Sequence, residues 1–344
     1  MDFLKFDYLK YAKYYIAISV FLLIFSFFFL FFGKKNLSID MTGGINLEYG
    51  YTKELSIDKI REDFEKQKDL VVYNGEKVIN NINIYGTNGE KKISVIAGFI
   101  DVSDEKKMDE LKGEFRKKAL EIVKSSDDTA KELNYTNIGK TFGDYIKSTA
   151  YLTLGLAIIG MFFYVFYAFS GSVSGISGFS FGFVSLLTLF HDVVVAAGIY
   201  IFIGDFYPDF QVDIYFITAL LTILGYSIND TIVIFDRIRE NLKVYGGKKG
   251  KDGKTLYEIV NLSVLETFKR SLFTSLTLVF VLITIFVFGP ESLKGFIFVM
   301  LVGTIVGTYS SIFLASPIFY EMNKNKKLSI YKKKVYNPDD KLVV

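Results

Sequence analysis

Six stretches of this sequence stay apolar for about 20 residues at a time, the length at which an α-helix crosses the hydrocarbon core of a bilayer. They lie near 14–32, 148–169, 179–203, 214–235, 271–288 and 296–320. A chain patterned in this way folds as a helical membrane protein, because lipid offers no partner to backbone N–H and C=O groups and a helix pairs them within the segment. Lys5, Lys10 and Lys13 precede the first stretch as they would in a secretion signal. Its apolar run is longer than that of a signal, and Gly33-Lys34-Lys35-Asn36 offers no small-residue cleavage site, so it reads as a retained span.

Composition agrees with that class and removes others. The 344 residues are 51% hydrophobic, and a net charge of +3 is too small to suggest nucleic acid as a partner. There are 35 Phe and 23 Tyr but no Trp, so any aromatic belt at the membrane interface is built from Tyr. No cysteine is present, which excludes disulfides, thiolate metal sites and cysteine catalysis. The single histidine, His191, leaves little room for a zinc site or a Ser-His-Asp triad, and no Gly-x-x-x-x-Gly-Lys-Ser/Thr loop is available for ATP hydrolysis. We therefore expect no enzyme, no metal and no cofactor other than an ion gradient.

Lysine and arginine near the span ends set the orientation. Arg237, Arg239, Lys243, Lys248, Lys249, Lys251, Lys254 and Lys269 gather between the fourth and fifth spans, and Lys324, Lys326, Lys327, Lys332, Lys333 and Lys334 in the tail. Opposite them, 204–209 has no base and 289–294 only Lys294. Both termini are thus expected in the cytoplasm. The uncharged turn 170–178 carries no orientation signal. The basic run 246–254 reads as a flexible loop in contact with anionic lipid, followed by an interfacial helix over 255–269.

The organisation is therefore an N-terminus and first span over 1–32, an external domain over 33–147, five further spans over 148–320 with a basic loop at 236–269, and a basic tail over 321–344. The external stretch is long enough for a core of its own. Strands are expected over 37–51, 70–73, 78–85 and 92–100, with turn residues Gly86-Thr87-Asn88-Gly89 between the last two. Amphipathic helices are expected over 57–68 and 105–124, the second with Leu111, Phe115, Ala119 and Ile122 on one face. This pattern suggests a small open-faced α/β sandwich of the ferredoxin-like kind, without fixing its strand order.

The chemistry concentrates inside the membrane. Asp230 lies within the fourth apolar stretch, seven residues before Arg237 and so about 10 Å inside the cytoplasmic boundary. An ionisable group on a spanning helix costs roughly 2.5–3.5 kcal/mol on insertion scales, so it is held there by a partner and a task. It is either a titrating group in an ion path or a hydrogen-bond acceptor for a neighbouring helix. Arg270 opens the fifth span from the same side, as a snorkelling base or as the partner of Asp230. His191 and Asp192 interrupt the third span, as a packing contact or as a second relay beside Asp230. Ser227 and Asn229 supply further oxygen ligands, which would suit sodium if the ion is not a proton. Gly303 and Gly307, with Ser310, Ser311 and Ala315, give the sixth span a small-residue face for close helix packing.

With these segments in view, the chain resembles SecF, the smaller membrane subunit of the SecDF accessory complex of the Sec protein-export machinery. The resemblance rests on Ile39-Asp40-Met41-Thr42-Gly43-Gly44, 138–143, Phe190-His191-Asp192-Val193, 225–239, Thr267-Phe268-Lys269-Arg270-Ser271 and Phe288-Gly289-Pro290, in that family's order and over nearly the whole chain. It implies half of a resistance-nodulation-division fold, six helices with one external domain, the other half coming from SecD. It also implies that Asp230 and Arg270 are the proton-responsive pair and that Asp40, Thr42, Gly43 and Gly44 join the first span to the external domain. Met41 stands where the family usually has Phe, and the uncharged 170–178 turn departs from commonly basic relatives.

The function expected from this resemblance is coupling of the proton motive force to movement of the external domain, which assists late translocation and release of exported proteins. Its partners would be a SecD-like subunit, the Sec translocation channel, unfolded exported proteins and membrane lipids, with no nucleic acid. The alternative is half of a proton-driven exporter of small molecules or lipids from the same superfamily. A third reading is a passive assembly scaffold in which Asp230 is a packing acceptor.

Overall fold

The computed structural model describes residues 7–331 apart from 54–55, 67–70, 74, 88–90, 101–104 and 208–209. The expected strand start at Leu70, the helix end at Lys68, the turn residues Asn88 and Gly89, and the tail lysines 332–334 lie outside the described residues.

A 3-10 turn, Leu9–Tyr11, leads into the first spanning helix, α1 (Ala12–Phe32). A short helical turn, α2 (Ile39–Thr42), then opens the external domain, which runs β1 (Gly44–Gly50), α3 (Ile57–Lys66), the ribbon β2 (Val72–Tyr73) and β3 (Glu76–Lys77), β4 (Ile79–Thr87), β5 (Lys92–Phe99), α4 (Glu105–Ser126) and β6 (Lys131–Ile138). The main sheet has the antiparallel order β4-β5-β1-β6. That β-α-β-β-α-β sequence and order are those of the ferredoxin-like fold. Strict alternation along β1 sends Ile45, Leu47 and Tyr49 into a core with Phe64, Leu111, Phe115 and Ala119 of the two helices. The opposite face of the sheet carries Asn46, Glu48 and Ser94 and faces the adjoining ends of the spanning helices across a cavity.

The spanning helices continue with α5 (Lys140–Ala168), a hairpin β7 (Ser172–Val173) and β8 (Ile176–Ser177), α6 (Gly178–Phe206), α7 (Ile214–Tyr245), α8 (Leu256–Phe288), α9 (Lys294–Ser310), a single π turn (Ser311–Ala315) and α10 (Ser316–Asn323). Six of these helical segments are long and apolar enough to cross a membrane. Helices α6, α7 and α9 are mostly buried and form the centre of the bundle, whereas α1, α5 and α8 are mostly exposed. Close approach is set by glycine: a Cβ at Gly198 on α6 would stand 2.4 Å from Ser26 Cα on α1.

Several local features depart from the sequence reading, among them the helical turn Ile39–Thr42 inside the strand expected over 37–51 and the unexpected strand β6. Residues 256–269 are not a separate interfacial helix but the first turns of α8, started by a capping box between Thr255 and Glu258. Their helical period buries Leu256, Ile259, Val260 and Val264 in the bundle core, while Arg237 and Asn241 of α7 bond Glu266 of α8 at 2.7 and 2.9 Å. The sixth span is broken by the π turn, because Pro317 has no N–H for the Phe313 carbonyl and its ring crowds it. At the end of the bundle away from the external domain, Tyr8 bonds Asn261, the hairpin bonds Leu242 through Ser174, and the tail bonds Ser174 through Ser329. The chain's two described ends therefore share one side of the bundle.

Candidate functional site

Helix α7 carries two polar seams, because residues four apart share a face of a helix. Ser227 and Thr231 face α6 and the π turn, while Tyr226 and Asp230 face α8.

The first seam is centred on Asp192 of α6, which is fully buried. Its Oδ2 accepts from Ser310 Oγ of α9 at 2.7 Å and from Ser227 Oγ, and its Oδ1 lies 2.9 Å from His191 Nδ1. One carboxylate thus collects hydrogen bonds from three helices. Thr231 Oγ1 meets Ser311 Oγ at 2.8 Å, which fixes the π turn to α7 just beside it. Gly303 and Gly307 bring α9 in: a Cβ at Gly303 would stand 2.1 Å from Ile223 Cδ1, and one at Gly307 would stand 3.1 Å from Ser227 Cβ. His191 is 1% exposed and its Nε2 has no partner among the described residues.

The second seam is sparser. Asp230 is 5% exposed and its Oδ2 accepts from Ser275 Oγ of α8 at 3.2 Å. That same hydroxyl has the Ser271 carbonyl at 2.7 Å and accepts from Tyr226 OH at 2.7 Å. A serine has one proton, so Ser275 serves Asp230 or its own helix, not both. Ser271 Oγ, one turn away, is buried without a partner among the described residues. Arg270 begins the apolar part of α8 and is exposed; its charge acts on Asp230 through space, but no hydrogen bond or ion pair within 4.0 Å joins them among the described residues. Asn229 is also exposed, on the face of α7 that carries Thr218 and Thr222.

The segment joining α1 to the external domain is packed rather than loose. Thr42 Oγ1 bonds the Ser38 carbonyl at 3.1 Å, closing the turn of α2. Gly43 (φ 78°) and Gly44 (φ 155°) occupy backbone conformations that favour glycine, and a Cβ at Gly44 would stand 2.4 Å from the Ala97 carbonyl of β5. Asp40, half-buried on the same turn, lies near the N–H of Ile214 at the start of α7, whose dipole opposes the rise that burial gives its carboxyl.

Residues 118–325 match the family described as protein export membrane protein SecD/SecF, C-terminal. The chain belongs to this family. Over 94% of its length it is 31% identical to the protein translocase subunit SecF of Thermobaculum terrenum and 34% identical to that of Thermodesulfovibrio yellowstonii, covering 95% of each. It is 31% identical to the protein translocase subunit SecDF of Bacillus subtilis, over 92% of this chain and 38% of that one. A crystal structure of SecDF from Thermus thermophilus, described as a translocon-associated membrane protein, superposes with a TM-score of 0.67 at 28% identity, again over 92% of this chain and 38% of that one. The chain thus spans nearly the whole length of these SecF relatives and a minor part of the SecDF chains, and its six helices with one inserted ferredoxin-like domain are a resistance-nodulation-division half.

The residues that sequence reasoning missed are hydroxyls. Tyr226, Ser275 and the pairing of Ser310 with Asp192 leave no mark in hydropathy, although the i, i+4 spacings of 226 with 230 and 271 with 275 place them on shared faces.

Proposed function

We propose that this chain is the SecF-like part of a protein-export accessory complex of the inner membrane, with both termini in the cytoplasm, and that it couples a proton gradient to movement of its external domain through Asp230. The observation that carries this reading is the bonding of Asp230. Among the described residues it holds a single side-chain hydrogen bond, from a serine whose proton has a second acceptor, beside a Ser271 hydroxyl without a partner and the Arg270 charge. Gaining a proton turns Asp230 from an acceptor into a donor, and α8 already holds the alternative partners that such a change requires. One elementary charge moved across 100 mV supplies about 2.3 kcal/mol, enough to reverse the populations of two closely balanced helix packings.

A SecD-like subunit fits the other half. Thr218, Thr222, Asn229, Arg270 and Thr274 are exposed at membrane depth on α7 and α8, and polar groups there are stable against a partner helix rather than against lipid. The Sec channel and unfolded exported proteins follow as partners from the SecF relatives. The test is release of an exported protein from vesicles that hold the translocase, a SecD-like subunit and this chain, under imposed proton or sodium gradients. Faster release under a proton gradient, only with both subunits present, is the expected result. Acceleration by sodium alone, or none by either ion, overturns proton coupling.

A further inference from the structure

At the outer end of the bundle, two segments far apart in sequence are joined. Ser38 N–H donates to the Val212 carbonyl at 3.0 Å and Val212 N–H donates to the Asn36 carbonyl at 2.7 Å, a parallel bridge between the strand leaving α1 and the segment entering α7. Just beyond it, Asp213 accepts the Phe216 N–H at 2.7 Å, and Asp40 lies near enough to the Ile214 N–H for that dipole to draw its carboxyl down. Two carboxylates therefore meet at one helix N-terminus. One comes from the turn that opens the external domain, the other from the helix that bears Asp230.

Both line a cavity of about 670 Å³ between the open face of the sheet and the outer ends of α6, α7 and α9. Gln211 lines it as well, is 6% exposed, and has a side-chain Nε2 with no partner among the described residues. A buried donor of that kind is ordinarily met by a water molecule, which here is also the vehicle for proton exchange with the carboxyls.

We propose that Asp40 and Asp213 form a proton-binding pair at this junction, holding the external domain on α7 while the pair carries a proton and loosening it when both carboxyls are ionised. The site is distinct from Asp230 and does not rest on coupling there. Burial pushes the Asp213 carboxyl up to about 6; the Phe216 N–H opposes that rise and the Asp40 charge adds to it. Burial also raises Asp40, against the pull of the Ile214 N–H. The other charged groups at the cavity are Glu48 and Lys92 from the sheet and Glu291 with Lys294 at the head of α9, the last two bonded to each other at 3.2 Å. Tyr85, Tyr200, Tyr207 and Tyr215 complete its titratable lining.

A carboxyl raised by the closed junction binds its proton more tightly there than in an opened, solvated one. Closure is therefore most favourable at and below the ordinary value of 3.8 and weakens as pH rises to about 6. An acidic outer medium closes the junction and a neutral one frees it.

Hydrogen exchange on the full chain in lipid nanodiscs tests this between pH 5 and pH 8, with intrinsic exchange rates corrected. Protection of 36–42 and 211–217 is expected to fall by about threefold or more, with a midpoint near 6. Asp213→Asn, which keeps a capping side chain, should hold its protection across the range. Asp40→Asn, which keeps a polar oxygen near the Ile214 N–H, should move the midpoint to lower pH. Protection that does not change with pH in the unaltered chain overturns the proposal, as does a midpoint left in place by Asp40→Asn, whether or not Asp213→Asn folds.

Discussion

Asp192 and Asp230 lie on neighbouring helices of one bundle, and both are buried in an apolar setting, yet their surroundings differ in kind. Asp192 is met by His191, Ser227 and Ser310, from its own helix and two others. Among the described residues Asp230 is met by Ser275 alone, at the edge of a face where Arg270 and Asn229 are exposed. A carboxylate with three partners on three helices fixes the packing around it, because any change disturbs several donors at once. One with a single divided partner can change its bonding at small cost. Burial alone therefore does not mark the group that moves; the number of its partners does.

Mutations separate the two. Asp192→Ala should have the largest effect on stability, about 3 kcal/mol in detergent unfolding, because the Ser227 donor loses its acceptor, His191 loses its carboxylate partner and Ser310 is left with the Gly307 carbonyl alone. A loss no greater than that of Asp230→Ala would erase the distinction between the seams. Gly307→Ala should come next, at about 1 kcal/mol, because its Cβ would press on Ser227 Cβ from 3.1 Å and ease that serine away from Asp192. Unchanged unfolding there would show that α9 yields easily. Tyr226→Phe removes only the bond to Ser275 and should cost less than about 1 kcal/mol, measured in the same way. Asp230→Asn keeps an acceptor for Ser275 and should sit within about 0.5 kcal/mol of the unaltered chain.

Much of this contrast was legible in the sequence. Both aspartates were visible because each interrupts an apolar run, and the six spans and most of the external strands followed from hydrophobic period. The partners were less visible. Serine and tyrosine hydroxyls fit apolar helices without breaking the pattern, so Ser275 and Ser310 emerge only from packing. Arg270 has the expected place on the neighbouring antiparallel helix, but its side chain is exposed rather than in contact with Asp230. Strand β6 escaped notice because it is a mostly polar edge strand, with Leu133 55% exposed and only Tyr135 packed on the core. Its β1 pairing, not its composition, makes it a strand. Asp213 and Gln211 gave no signal at all, since their meaning depends on Asp40 from the far end of the chain.

The most direct test compares Asp230→Asn with the unaltered chain in gradient-driven release of an exported protein from vesicles carrying the translocase and a SecD-like subunit. The account predicts that Asp230→Asn folds and assembles normally, releases protein at the gradient-free rate, and gains nothing from an imposed pH gradient. Full gradient-dependent acceleration with Asp230→Asn would contradict it and leave Asp230 a packing acceptor.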